Sequence, residues 1–389
     1  MRAIHYATGQ VVSIGVEGGV IRAIDPQDVH DLHDLPWVAP GLVDLQINGY
    51  AGLDINSLPL SEDSVGQMVR ALWREGVTTC YPTVITHSNQ AILDAMRTIA
   101  QACDRDAVTA QGVGGVHLEG PFISTDDGAR GAHDRQFVRP PDWDGFCRWQ
   151  DAAGGRIRIV TMSPEWPQSG DFIERCAQSG VTVSIGHTSA TPQQIADAVR
   201  AGARMSTHLG NAAHLVLPRH PNYLWEQLAQ DDLWACMIAD GFHLPDQVLK
   251  VIMKVKGDRT MLVSDAVALA GMPPGVYTTP VGGQVVLTPQ GRLHLAANEN
   301  LLAGSAQLLL KGIEHLVRSR LATLAQAWDM ASIRPASFMS LPTAGGLTPG
   351  APADFVLLRR AADQFNIQAT YKSGRIVFDR STSSSPAKP

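Results

Sequence analysis

The 389-residue chain contains only five cysteines, Cys80, Cys103, Cys147, Cys176 and Cys236, and none forms a C-x-x-C pair. That spacing excludes a disulfide framework and a thiolate zinc knot. Positive charge is not in excess: 31 Lys and Arg stand against 37 Asp and Glu, a net charge of −6. A pI near 6.1 leaves no basic footprint for nucleic acid. No run of 18 apolar residues and no basic amphipathic stretch occurs, so no membrane contact is expected. The first residues carry no apolar leader segment, which makes a cytoplasmic protein the expectation. No G-x-G-x-x-G or Walker sequence follows any strand candidate, so nothing points to nucleotide binding.

What is present is ordinary globular composition, 44% hydrophobic and 17% charged, in a chain long enough to bury a large core. The opening reads as β: Val11–Val16 and Val20–Ile24 flank Glu17-Gly18-Gly19, a hairpin signal. A loop closing at Pro36–Gly41 follows. From Gly41 short apolar strands alternate with amphipathic helices. The strand candidates are 42–47, 77–81, 115–119, 157–161, 181–185, 205–208, 234–238 and 261–265. Several helices between them are legible. Ser61 can cap one with Val65, Met68, Val69, Leu72 and Trp73 on one face, closed near Gly76. Thr191-Pro192 opens another that Gly202 ends, and Leu244-Pro245 opens one with Val248, Leu249, Ile252 and Met253 inward, ending at Gly257.

Eight strands with helical connectors predict an α/β protein with a (β/α)₈ barrel; a doubly wound open sheet is the alternative. An insertion near 276–300 reads as a hairpin, with helices near 305–319 and 323–332 after it. Residues 354–358 and 371–377 read as β again, so strands from both chain ends can pair in a small β-sandwich. The expected division is 1–40 and 341–380 for the sandwich, 41–340 for the catalytic barrel, and 381–389 for a disordered tail.

In such a barrel the chemistry gathers at the C-terminal ends of the strands. The third strand ends in Glu119, the fifth in Gly186-His187-Thr188, the sixth in Thr207-His208 and the eighth in Ser264-Asp265. Glu119, His187 and His208 form a first-row metal set that leaves a position open for water. Asp265 would then carry the proton. His117, two before Glu119, faces the same side of its strand.

The order of Gly-Val-His-Leu-Glu-Gly-Pro-Phe (115–122), Ser-Ile-Gly-His-Thr (184–188), Thr-His-Leu-Gly-Asn-Ala (207–212), Ala-Asp-Gly-Phe-His (239–243), Val-Ser-Asp-Ala (263–266) and Leu-Ala-Gly-Ser (302–305) resembles the N-acetylglucosamine-6-phosphate deacetylases of the amidohydrolase superfamily. The resemblance spans about residues 40–354. It implies a metal bound by Glu119, His187 and His208, an acid/base at Asp265, and sugar contacts from Ala132, His133, Asn211, Ala212 and His243. It also implies a pocket wall from Leu302, Ala303 and Gly304. Many superfamily members carry His-x-His on the first strand and bind two metals. Here Gln46-Ile47-Asn48 stands there, and amides are poor metal ligands, so one divalent ion per chain is expected. Zinc is the default, with iron, manganese and cobalt suited to the same ligands.

The family's Arg-Glu-Pro-Gly loop is replaced by Leu217–Asn222. Arg219 keeps the arginine's spacing from the second histidine, where the family's arginine holds the substrate phosphate, often across a dimer interface. A homodimer acting on a small amino-sugar substrate is the implied assembly. The expected reaction is acetamide hydrolysis of N-acetylglucosamine-6-phosphate. An unphosphorylated or epimeric N-acetylhexosamine is the first alternative, a D-aminoacylase or cyclic-amide hydrolase the second, and a non-catalytic binding barrel the third.

Overall fold

A computed structural model describes residues 1–28, 34–280, 282–361 and 364–383. Eight parallel strands form the centre: β1 (Leu42–Ile47), β2 (Val77–Ile85), β3 (Val116–Glu119), β4 (Ile157–Met162), β5 (Thr182–Ile185), β6 (Met205–Ser206), β7 (Trp234–Met237) and β8 (Thr260–Leu262). Each pairs with the next in chain order. The ring closes where Ile47 bridges Ala266, and where the Asp265 N–H donates to the Gln46 carbonyl at 2.9 Å. The open sheet is thereby excluded. The strands are buried almost throughout, because helices cover them outside and side chains fill them inside.

The helices form where sequence supplies both a start and a face. Ser61 caps Glu62–Trp73 by accepting from the Ser64 N–H, and Val65, Met68, Val69, Leu72 and Trp73 are buried. Thr191 and Gln194 make a reciprocal capping box on Pro192–Ala201, which ends at the left-handed Gly202. The helix Asp246–Lys256 departs from expectation. Leu249 and Ile252 are buried, but Val248 is 37% exposed and Val251 and Val255 face solvent too. Lys256 takes the remaining inward position and donates to the Gln230 carbonyl at 2.6 Å. A long side chain can bury its stem if its ammonium reaches an acceptor.

Both chain ends enter one seven-stranded sheet, ordered 375–379, 364–372, 355–361, 37–40, 2–5, 11–17, 20–26. Arg2–His5 and Trp37–Pro40 are strands in place of the expected loop and unassigned start. This sheet docks on the barrel through buried polar contacts. Lys372 donates to Asp354 at 2.6 Å and to Thr79 at 3.1 Å. Thr370 donates to the Trp73 carbonyl, and Glu314 accepts from the Phe365 N–H.

The insertion is a four-stranded antiparallel sheet, Gly275–Thr279, Gly283–Leu287, Leu293–Leu295 and Asn298–Leu302, larger than the expected hairpin. It packs its own small core of Leu269, Val285, Leu287 and Leu293. The helices after it are Leu309–Arg318 and Leu324–Met330, with an additional Ile333–Phe338. The expected tail begins with a helical turn, Arg380–Ser383; residues 384–389 lie outside the described residues. Among the described residues no helix is long and apolar enough to cross a membrane.

Candidate active site and metal centre

Glu119 is the last residue of β3, while His187, His208 and Asp265 stand just past β5, β6 and β8. The barrel therefore brings all four to one end. His187, His208 and Asp265 have left-handed φ values of 49°, 27° and 46°. Such backbone costs on the order of 1–3 kcal/mol per non-glycine residue and persists only where surroundings over-determine it.

Glu119 Oε1 lies 3.2 Å from Nε2 of both His187 and His208, and those two nitrogens are 3.1 Å apart. His133 Nε2 is 3.3 Å from that of His187. Proximity alone groups Glu119, His133 and His187 as buried potential ligands. His208 is the better third donor, because it stands close to both Glu119 and His187. Ligands held at about 2.0–2.1 Å around a tetrahedral cation lie about 3.3 Å from one another, so the observed spacings fit a shared metal. His187 Nδ1–H donates to the Ala129 carbonyl at 3.1 Å, which leaves the Nε2 lone pair facing the centre. A Cβ at Gly131 would come within 3.2 Å of this ring, so a glycine there lets the loop close over it. Nitrogen and oxygen donors of this kind suit zinc and its first-row neighbours.

Gln46 links the two carboxylates. Its Nε2 donates to Glu119 Oε1 at 2.8 Å and to Asp265 Oδ1 at 3.1 Å, and Asn48 Nδ2 donates to Asp265 Oδ1 at 2.8 Å. Burial opposes ionisation of Glu119, yet the close approach of His187 and His208 holds it well below the usual carboxylate range. Burial pushes Asp265 up to about 6, and the Glu119 charge adds to the effect. Burial also lowers His133 to about 3.

His117, two residues before Glu119, is wholly buried. Its Nδ1 faces the Leu45 carbonyl at 2.9 Å, so the proton sits there; its Nε2 then accepts from Thr161 at 2.7 Å. Thr161 is in turn 2.6 Å from Thr207. This neutral histidine ties β1 to β3 and β4, and burial lowers it to about 4.

The remaining sequence-derived residues distribute unevenly. His243 Nδ1 pairs with Asp240 at 2.7 Å, and Asp240 also accepts from the Phe242 and His243 N–H groups. Asn211 and Ala212 line a small cleft beside His187, with Leu209, Tyr223 and Gln227. The Asn211 amide nitrogen, Asn48 Oδ1 and His133 Nδ1 are buried polar atoms without a partner among the described residues. Leu302, Ala303 and Gly304 run beside the extension of β8, because Ser305 bridges Ala266. Ala132 is exposed next to the buried His133. Arg219 is exposed in the loop that follows Ala212.

Two charged residues escaped the sequence reading. Arg130 donates to the His133 carbonyl at 2.6 Å and holds that loop. Glu165 follows the end of β4 and accepts from three partners around His187. The signal for Glu165 was available: a carboxylate just past a barrel strand, as at β3 and β8.

A family model described as "Amidohydrolase family" matches residues 37–377. The N-acetylglucosamine-6-phosphate deacetylase of Bacillus subtilis (strain 168) is 32% identical over 345 residues, covering 87% of this chain and 84% of that protein. The Homo sapiens protein of the same name is 33% identical over 351 residues, covering 88% and 83%. A solved Mycobacterium smegmatis N-acetyl-D-glucosamine-6-phosphate deacetylase mutant, in complex with N-acetyl-D-glucosamine-6-phosphate, superimposes with a TM-score of 0.82 at 28% identity, covering 94% of each chain. With the barrel, the converging glutamate and histidines, and this kinship over most of its length, the chain belongs to the amidohydrolase family, among the N-acetylglucosamine-6-phosphate deacetylases.

Proposed function

We propose that the protein hydrolyses the acetamide of N-acetylglucosamine-6-phosphate to glucosamine-6-phosphate and acetate, using one divalent metal ion, zinc by default. The observation that carries this is the convergence of Glu119, His187 and His208 at 3.1–3.2 Å, with Asp265 tied to Glu119 through Gln46. A divalent cation on those three ligands supplies Lewis acidity toward a carbonyl oxygen and lowers the pKa of a water.

The chain's own groups do the rest. Asp265, aimed by Gln46 and Asn48, accepts the proton of the attacking water and then gives it to the departing nitrogen, which is too basic to leave as an anion. His243 is held by Asp240 through Nδ1, so its Nε2 is free to meet a sugar hydroxyl. His133 and Asn211 each carry a buried polar atom without a partner among the described residues, available to the sugar. By the family resemblance, Ala132, Ala212, Leu302, Ala303 and Gly304 would form part of the pocket wall. The Gln46–Asn48 amides, standing where a two-metal enzyme needs ligands, favour one ion and weigh against a D-aminoacylase.

Arg219 is the phosphate reader in this proposal, since a guanidinium suits bidentate phosphate binding. Its exposed loop carries Leu215 and Val216, 97% and 87% exposed, and Trp225, six residues past Arg219, is 53% exposed. Exposed apolar side chains of this kind mark an interaction surface, which supports a homodimer that delivers Arg219 to a neighbouring site. A phosphate ester does not cross a membrane unaided, because burying its charge is costly; the cytoplasm is therefore the fitting location. The test is acetate release from N-acetylglucosamine-6-phosphate, N-acetylgalactosamine-6-phosphate and N-acetylglucosamine on one preparation. Preference for the first supports the proposal, and preference for either of the others overturns its substrate.

A further inference from the structure

The segment just past β4, Ser163-Pro164-Glu165, carries no role in the chemistry above. We propose that Glu165 is a positioning residue that holds His187 in the orientation from which it binds metal. This rests on the reading of His187 as a ligand.

Glu165 Oε2 accepts from the Ser189 N–H at 2.9 Å and from the Ser163 hydroxyl at 2.7 Å, and Oε1 accepts from the Ser124 hydroxyl at 3.0 Å. Each hydroxyl has one proton, and both give it to the carboxylate. Ser163 therefore accepts from Thr188 at 2.7 Å, and Ser124 accepts from Ser189 at 2.8 Å. The Ser124 N–H closes the ring by donating to the His187 carbonyl at 2.8 Å. Thr188 Oγ1 accepts from the Ala190 N–H, and Gln194 of the following helix cap donates to the Glu165 carbonyl. Residues 187–190 are thus pinned at successive positions, and the side-chain pins converge on one carboxylate.

This matters because His187 has φ +49°. A histidine in that region relaxes unless its neighbours prevent it, and relaxation turns the imidazole away from Glu119. Ser124 and Ser163 are fully buried and Thr188 is 3% exposed, so their hydroxyls cannot turn to water instead. Glutamine at 165 keeps one acceptor oxygen but sets an NH₂ against donors; alanine removes every acceptor.

The experiment is zinc competition against a chromogenic chelator on the reconstituted full chain, with melting monitored in parallel. Loss of a hydrogen-bonded group behind a ligand weakens metal affinity by about 10–100-fold. Glu165→Gln is expected near the lower figure and Glu165→Ala near the upper, with Glu165→Gln decisive if the alanine variant does not fold. Ile173→Val, fully buried in the helix Ser169–Gln178, perturbs packing without removing any hydrogen bond to the Glu165 carboxylate and should bind zinc as the parent does. Zinc affinity within about twofold of the parent in a folded Glu165 variant overturns the proposal, since it lies far below the expected effect. Equal weakening by Ile173→Val also overturns it, because general destabilisation then suffices. His187→Ala separates the two levels. If it binds zinc unchanged, the ligand assignment fails; if it loses zinc while the Glu165 variants keep it, only the role of Glu165 fails.

Discussion

Asp265→Asn replaces a proton acceptor by a group of the same shape. In the native site Asp265 Oδ1 accepts from Gln46 at 3.1 Å and from Asn48 at 2.8 Å. An asparagine oxygen can accept both bonds, so the side chain stays in place, while its NH₂ occupies the position of the other carboxylate oxygen. Glu119, His187 and His208 are untouched, and metal content should remain that of the parent. What disappears is the ability to take a proton from water and return it to nitrogen. General acid–base catalysis is worth about 10²–10⁴-fold, or about 3–5 kcal/mol of barrier. The same residue serves both transfers, so kcat should fall to the far end of that range. Acetate release and elemental analysis on one sample measure both sides of the claim. A variant that keeps its metal and turns over within about tenfold of the parent, less than the smallest expected loss, removes Asp265 from the proton path. Loss of metal together with rate would instead place Asp265 among the ligands.

Other outcomes follow from the same geometry. Burial raises Asp265 to about 6; protonated, it cannot accept, so kcat/KM should drop as pH falls. A bound cation favours the carboxylate, so a pH–rate profile should place that limb at or below about 6. Arg219→Ala should raise KM for the phosphorylated substrate by about 10–100-fold, the worth of a charge-assisted pair, and leave the unphosphorylated sugar unaffected in the same assay. Lys372→Met strips the buried Asp354 of its ion-pair partner and should destabilise the fold by about 3–5 kcal/mol in denaturant titration; replacing Asp354 by Leu as well should recover part of the loss.

The barrel was legible because its strands are apolar and its helices carry caps that propensity alone identifies, such as Thr191 and Ser61. The site was legible for the same topological reason: four chemistry-bearing residues followed four strand candidates. The terminal sheet was harder. Arg2–His5 and Trp37–Pro40 are four residues each and have meaning only beside one another and beside Phe355–Ala361, more than 300 residues away in the chain. The outward Val248 on Asp246–Lys256 shows another limit. Periodicity offers two overlapping faces there, and tertiary packing chose the one that buries Lys256. Gln46 could be read as a non-ligand from its chemistry, yet its bond to both carboxylates requires β1 to stand beside the end of β8, with β3 two strands away on its other side. That adjacency exists only once the ring has closed.

The most direct measurement is anomalous diffraction from crystals of the zinc-loaded protein. One strong peak per chain, bonded to Glu119, His187 and His208 with Gln46 and Asn48 outside its coordination, is the predicted result. A peak ligated by other residues, or a second one between Glu119 and Asp265 where Gln46 now donates, would contradict a single-metal amide hydrolase.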